Sequence, residues 1–166
     1  MANLQTREDV PEITPDLKHL LGRLHEGPSG GHHYAALLGL RSFDLPALLR
    51  NVEKGFRFTA LEHLRRNVAL SSDELEQVLG IPSRTLARRK SEGRFQPEES
   101  DRLLRTARIY ARAIEVFESD ARSASEWLTT PQTALGGVPP LDLVRTEIGA
   151  REVEALLDRL EQGVFS

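Results

Sequence analysis

Residues 83–90 read Ser-Arg-Thr-Leu-Ala-Arg-Arg-Lys, and this run holds most of the binding chemistry that the sequence displays. The arginine fork of donors matches guanine O6 and N7 in a major groove, and serine or threonine hydroxyls serve phosphates or base edges. On a helix, Leu86 and Ala87 can turn toward a core. That leaves Ser83, Arg84, Thr85, Arg88, Arg89 and Lys90 as candidate DNA-binding residues. Other chemistry is poorly supplied. There is no cysteine, hence no disulfide framework, thiolate metal site or thiol nucleophile. His32 and His33 are adjacent and point apart on regular structure, while His19 and His25 are six apart, not the four a helical zinc site uses. Surface histidines are the simpler reading, so no metal is expected. No nucleophile–base–acid set or phosphate loop is visible, and neither catalysis nor a cofactor is expected.

Charge is segregated along the 166 residues. Residues 1–81 hold 9 basic and 11 acidic side chains, residues 82–112 hold 9 and 4, and residues 113–166 hold 4 and 10. The three stretches therefore carry −2, +5 and −6 within a total of −3. A cationic centre beside an anionic end suggests a polyanion-binding module joined to a part with a different partner. Ordinary solvated faces would give a similar count. Nowhere is there the run of ~20 apolar residues that a membrane helix needs. Met1–Gln5 lacks the basic and apolar stretches of an export signal. A cytoplasmic protein with no membrane partner is expected.

The elements that must position these residues are all helical. Leu17, Leu20, Leu21 and Leu24 form a helical stripe, broken by the loop Gly27–Gly31. Asp44 can cap a helix that stops near Gly55. Ser71 and Glu74 make a capping box for a helix carrying Leu75, Val78 and Leu79. Gly80 ends that helix, Ile81 plugs the turn, and Pro82-Ser83 restarts the chain into a second helix stopped by Gly93. Two short helices joined by a glycine turn make a helix-turn-helix, a pattern that plain core hairpins share.

After Pro97, Leu103, Ala107, Tyr110, Ile114 and Phe117 predict one long helix ending near Ser119-Asp120. Its outward Arg102, Arg105, Arg108 and Arg112 either extend the basic surface or pair with Glu98 and Asp101 within the helix. Ser123 and Glu126 predict a capping box for a helix burying Trp127 and Leu128. Gly149 is read as a break before a last helix with Val153, Leu156, Leu157 and Leu160, capped by Gly163.

Ser83–Arg89 and Glu99–Arg102, followed by Ala124-x-x-Trp127-Leu128-x-x-Pro131, Leu135-Gly136-Gly137-x-Pro139-Pro140-Leu141-Asp142, Gly149 and the Val153–Gly163 helix, resemble the Xre/MbcA/ParS-type antitoxin family, partner of RES-domain toxins. The likeness covers about residues 60–166. It implies an all-α chain with a helix-turn-helix DNA-binding region followed by a small helical toxin-binding domain. It further implies a protein that occludes a RES-domain, NAD-degrading toxin and represses its own operon by binding operator DNA. The corresponding division is 1–58 as an N-terminal helical region for possible dimerisation, 59–120 for DNA and 121–166 for toxin. Trp127, Leu157, Leu160, Glu161, Gly163, Val164, Phe165 and Ser166 are the toxin-binding residues so implied. Helix-turn-helix proteins usually read paired half-sites, so a homodimer within a larger hetero-oligomer is expected. A stand-alone transcription regulator with a C-terminal dimerisation or sensing domain is the alternative.

Overall fold

The computed structural model describes residues 17, 18, 22, 32–41, 43–68 and 70–163. From His33 to Glu161 the described residues form eight α-helices: α1 (Leu45–Lys54), α2 (Thr59–Val68), α3 (Ser72–Leu79), α4 (Ser83–Glu92), α5 (Pro97–Val116), α6 (Ala121–Thr129), α7 (Pro140–Leu143) and α8 (Glu147–Glu161). Two short 3-10 helices, His33–Leu38 and Thr133–Leu135, complete the set. Extended pairing among the described residues is limited to two isolated bridges, Arg57 with Arg94 and Gln132 with Val138.

Helix α5 is the axis of the fold. Its stripe of Leu103, Ala107, Tyr110 and Ile114 is fully buried, and the His33–Leu38 turn, α1, α3, α6 and α8 all pack on it. Burying such a stripe stabilises the fold by roughly 1.5–3 kcal/mol per large apolar side chain. One continuous core runs from Leu37 and Leu64 through Leu79 and Tyr110 to Leu128 and Leu157. The N-terminal turn joins it partly through Asn67, whose Nδ2 donates to the Leu37 carbonyl at 3.0 Å. Of the leucine stripe expected at 17–24, Leu17 is buried, and Leu20, Leu21, Leu24 and the Gly27–Gly31 loop lie outside the described residues.

Three expected boundaries are corrected. The long helix ends at Val116, not near Ser119-Asp120, because Glu118 and Ser119 turn to positive φ, 53° and 71°. Asp120 then caps α6 by accepting from the Arg122 and Ser123 N–H groups, so the Ser123–Glu126 box does not form. The Ser123 hydroxyl donates to Asp120 instead. Gly149 is not a break: α8 begins at Glu147, capped by Thr146. A Cβ at Gly149 would lie 2.1 Å from the Leu143 carbonyl oxygen, so glycine is needed for close passage of α8 over α7.

Candidate functional site

Local chemistry builds the helix-turn-helix. At the start of α3, Ser71 Oγ accepts from the Glu74 N–H at 3.2 Å and Glu74 Oε2 accepts from the Ser71 N–H at 2.8 Å. Two otherwise unpaired donors are thereby satisfied. Gly80 takes a left-handed φ of 61° at the other end, Ile81 is buried beneath the turn, and Arg102 of α5 donates to the Leu79 carbonyl at 3.1 Å. A second clamp closes the unit. Phe95 N–H donates to Phe56 O, Phe58 N–H donates to Gly93 O, and the Phe58 and Phe95 rings stack at 5.4 Å.

On α4, Ser83, Arg84, Arg88 and Lys90 are exposed and Thr85 is half-buried. Arg84 and Lys90 make no ion pair among the described residues. Arg88 is only 3.9 Å from Glu92, with its side chain 60% exposed. The Ser83 hydroxyl donates to Glu76 of α3. Ala87, expected in the core, is exposed, and Leu86 is partly buried.

Arg89 is the correction within the DNA-binding set. Its side chain is 8% exposed and faces the start of α5. There its Nε and Nη2 donate to Glu99 at 2.7 and 2.9 Å, and Nη1 donates to Glu92 at 2.9 Å. Glu99 also accepts from the Gln96 N–H at 2.8 Å. Burial pushes the Glu99 carboxyl up, but the hydrogen bonds from Arg89 and Gln96 outweigh it and hold the group below its usual range. The hydrogen bond to Glu99 raises the Arg89 guanidinium further. This bidentate pair ties α4 to α5 and leaves no fork for a base.

Two cations escaped notice in the sequence. Arg65 and Arg66 of α2 share with Lys90, Ser72 and Ser83 the lining of a groove of about 590 Å³ between α2, α3 and α4. The adjacent Arg65-Arg66 pair one turn before the capping box was the available signal.

The arginines of α5 follow the expected pairing within the helix only in part. Arg105 does pair with Asp101, yet its Nε also donates to Glu147 of α8 at 3.1 Å. Arg108 reaches Glu154 at 2.8 Å and Glu147 at 3.2 Å. Arg112 reaches Asp158 at 2.7 Å and Glu161 at 2.5 Å. Burial pushes Glu147 up, but the Arg108 charge and its hydrogen bond outweigh it; the Arg112 hydrogen bond likewise holds Glu161 low. A ladder of ion pairs therefore fastens α8 to α5.

The C-terminal candidates separate in the same way. Leu157 is fully buried, so its assignment to a partner surface is corrected: it packs α8 into the core. Leu160 and Trp127 are partly buried against that core, with the Trp127 ring 6.0 Å from Phe117. Glu161 is exposed but paired with Arg112. Gly163 is exposed, with a φ of 69°, and Val164, Phe165 and Ser166 lie outside the described residues. Sequence reasoning missed Ile148, 79% exposed at the start of α8. Helical phase could have found it, since Ile148 lies roughly 140° around the helix from Val153. No helix among the described residues is long and apolar enough to cross a membrane.

Comparison with known families fits this geometry. Residues 47–108 match the antitoxin Xre-like helix-turn-helix domain, and residues 112–163 match the antitoxin Xre/MbcA/ParS C-terminal toxin-binding domain. The two matches meet inside α5. The chain is 39% identical over 132 residues to the antitoxin Xre of Yersinia enterocolitica serotype O:8 / biotype 1B, covering 76% of this chain and 89% of that protein. It is 35% identical over 144 residues to the antitoxin Xre of Pseudomonas putida, covering 81% and 87%. It is 30% identical over 127 residues to the Prs ADP-ribosylating antitoxin of a Sphingobium species, covering 69% and 78%. With an exposed basic recognition helix, a C-terminal helical half docked on α5 and these matches across both, the chain belongs to the Xre family of antitoxins.

Proposed function

We propose that this antitoxin neutralises a RES-domain, NAD-degrading enzyme by covering it, and represses its own operon through α4 without catalysis of its own. Arg84, Arg88 and Lys90 carry the DNA reading, because they are exposed on the helix that follows the glycine turn. Ser83 and Thr85 stand at the N-terminal end of that helix, the end that enters a major groove. Arg65 and Arg66 add phosphate contacts beside it. Arg89 belongs to the scaffold.

Toxin occlusion falls to the outer surface of residues 121–166. Occlusion needs shape-matched burial near a cleft and no reactive group. Trp127, Leu160, Glu161, Gly163 and the segment Val164–Ser166 remain the proposed contacts, joined by Ile148. Residues 1–58 serve self-association in a cytoplasmic homodimer within a larger complex with toxin; Leu45 and Leu49, 51% and 52% exposed on α1, offer apolar surface for it. Co-expression of the toxin with a chain truncated after Leu160 tests the occlusion. Loss of growth rescue is expected, and full rescue would remove the tail from the mechanism.

A further inference from the structure

Arg105, Arg108 and Arg112 are spaced i, i+3 and i+7 on α5, one row about 10.5 Å long. Such a row carries the charge that a phosphodiester polyanion would be drawn to, and α8 covers it with Glu147, Glu154, Asp158 and Glu161. The covering groups are carboxylates at 2.5–3.2 Å, the distances at which phosphate oxygens would sit. The apolar face of α8, with Val153 and Leu157 fully buried, packs into the core independently of these pairs. The four carboxylates add to that apolar docking.

We propose that α8 acts as an internal counter-polyanion: its four carboxylates occupy a second nucleic-acid-binding face on α5 and confine DNA to α4. The consequence is specificity. Three free arginines on α5 would attract any duplex and draw it toward the acidic half, away from the register that α4 requires. The remaining side-chain partners of these arginines, Asp101 and Glu115, are on α5 itself, with side chains 55% and 39% exposed, and pairs of this kind hold weakly. Arg105 also donates to the Arg145 carbonyl at 3.0 Å, so it is the least released of the three.

The inference rests on the DNA-binding reading, but its test does not need the operator. Binding of the full chain to a random-sequence duplex is titrated across salt concentrations by fluorescence anisotropy. The variant Glu147→Gln/Glu154→Gln/Asp158→Asn/Glu161→Gln is expected to bind tighter than wild type, with the slope of log K against log salt steeper by up to about three, near 0.9 per freed arginine. A control, Glu53→Gln/Glu98→Gln/Glu118→Gln/Glu152→Gln, changes net charge equally and frees no arginine; it is expected to leave the slope unchanged. Adding Arg105→Gln/Arg108→Gln/Arg112→Gln to the first variant is expected to restore the wild-type slope. Equal effects of the two quartets, or no effect of the first, would overturn the proposal. Should the first quartet not fold, Asp158→Asn/Glu161→Gln releases Arg112 from α8 alone, and one increment of about 0.9 is expected. No increment would count against the proposal. If wild type also ignores its operator, the repressor reading fails while this result still stands.

Discussion

Helices α4 and α5 carry similar numbers of arginines and put them to opposite uses. On α4, Arg84 and Arg88 reach solvent, and Arg89 alone turns inward to Glu99. On α5, Arg102 holds the turn carbonyl, and Arg105, Arg108 and Arg112 are each engaged by α8. The +5 of residues 82–112 is therefore mostly internal. Charge available to a ligand depends on what packs opposite, and a count along the chain does not contain that information. The −6 of the C-terminal third is reduced by the same pairs.

The contrast can be broken most severely at Leu157. It is fully buried between α8 and the core, so Leu157→Ala is expected to cost about 2–5 kcal/mol in denaturant unfolding. A negligible cost would mean that the ion pairs, not apolar burial, dock α8. Next in size is Arg89→Ala. It leaves Glu99 buried without its main partner and is expected to lower the melting temperature clearly, while the salt slope of DNA binding in the folded protein is unchanged. A drop in slope with no loss of stability would return Arg89 to the DNA-contacting set. Arg112→Gln is milder. Its partners are half-exposed, so a loss of at most ~1 kcal/mol is expected, vanishing in high salt.

The pH dependence is the finest probe. Glu99, Glu147 and Glu161 are held below their usual range in the folded chain. Each thus contributes stability that is present above the unfolded value near ~4.3 and is lost as pH falls through the lower folded one. Melting scans from neutral pH to pH ~3 should show that loss, and Arg112→Gln should flatten the part due to Glu161.

How far the sequence speaks depends on the reach of each interaction. The Ser71–Glu74 capping box and the Gly80 turn close within a few residues, so they are legible as patterns. The stripe of Leu103, Ala107, Tyr110 and Ile114 is equally legible, because burial follows helical period. The same period marks Leu157 as core, so its assignment to a partner surface ran against its own helix. Arg89 looks like a reader because it adjoins Arg88, yet its partner is ten residues away on another helix. The ladder is more remote, joining residues 39 to 49 apart. Gly149 shows the complementary difficulty. A glycine needed for close passage and a glycine that breaks a helix are the same letter.

The central claim is that α4 reads DNA while the arginines of α5 serve the fold. It is tested most directly by operator titrations, over a salt series, of Arg84→Ala/Arg88→Ala beside Arg105→Gln/Arg108→Gln/Arg112→Gln. The account predicts that the first variant loses affinity, about 1–3 kcal/mol per base contact, with a shallower salt slope and an unchanged melting temperature. The second should keep operator affinity and slope. Retained binding by the first variant, with collapse of affinity in a folded second one, would contradict it.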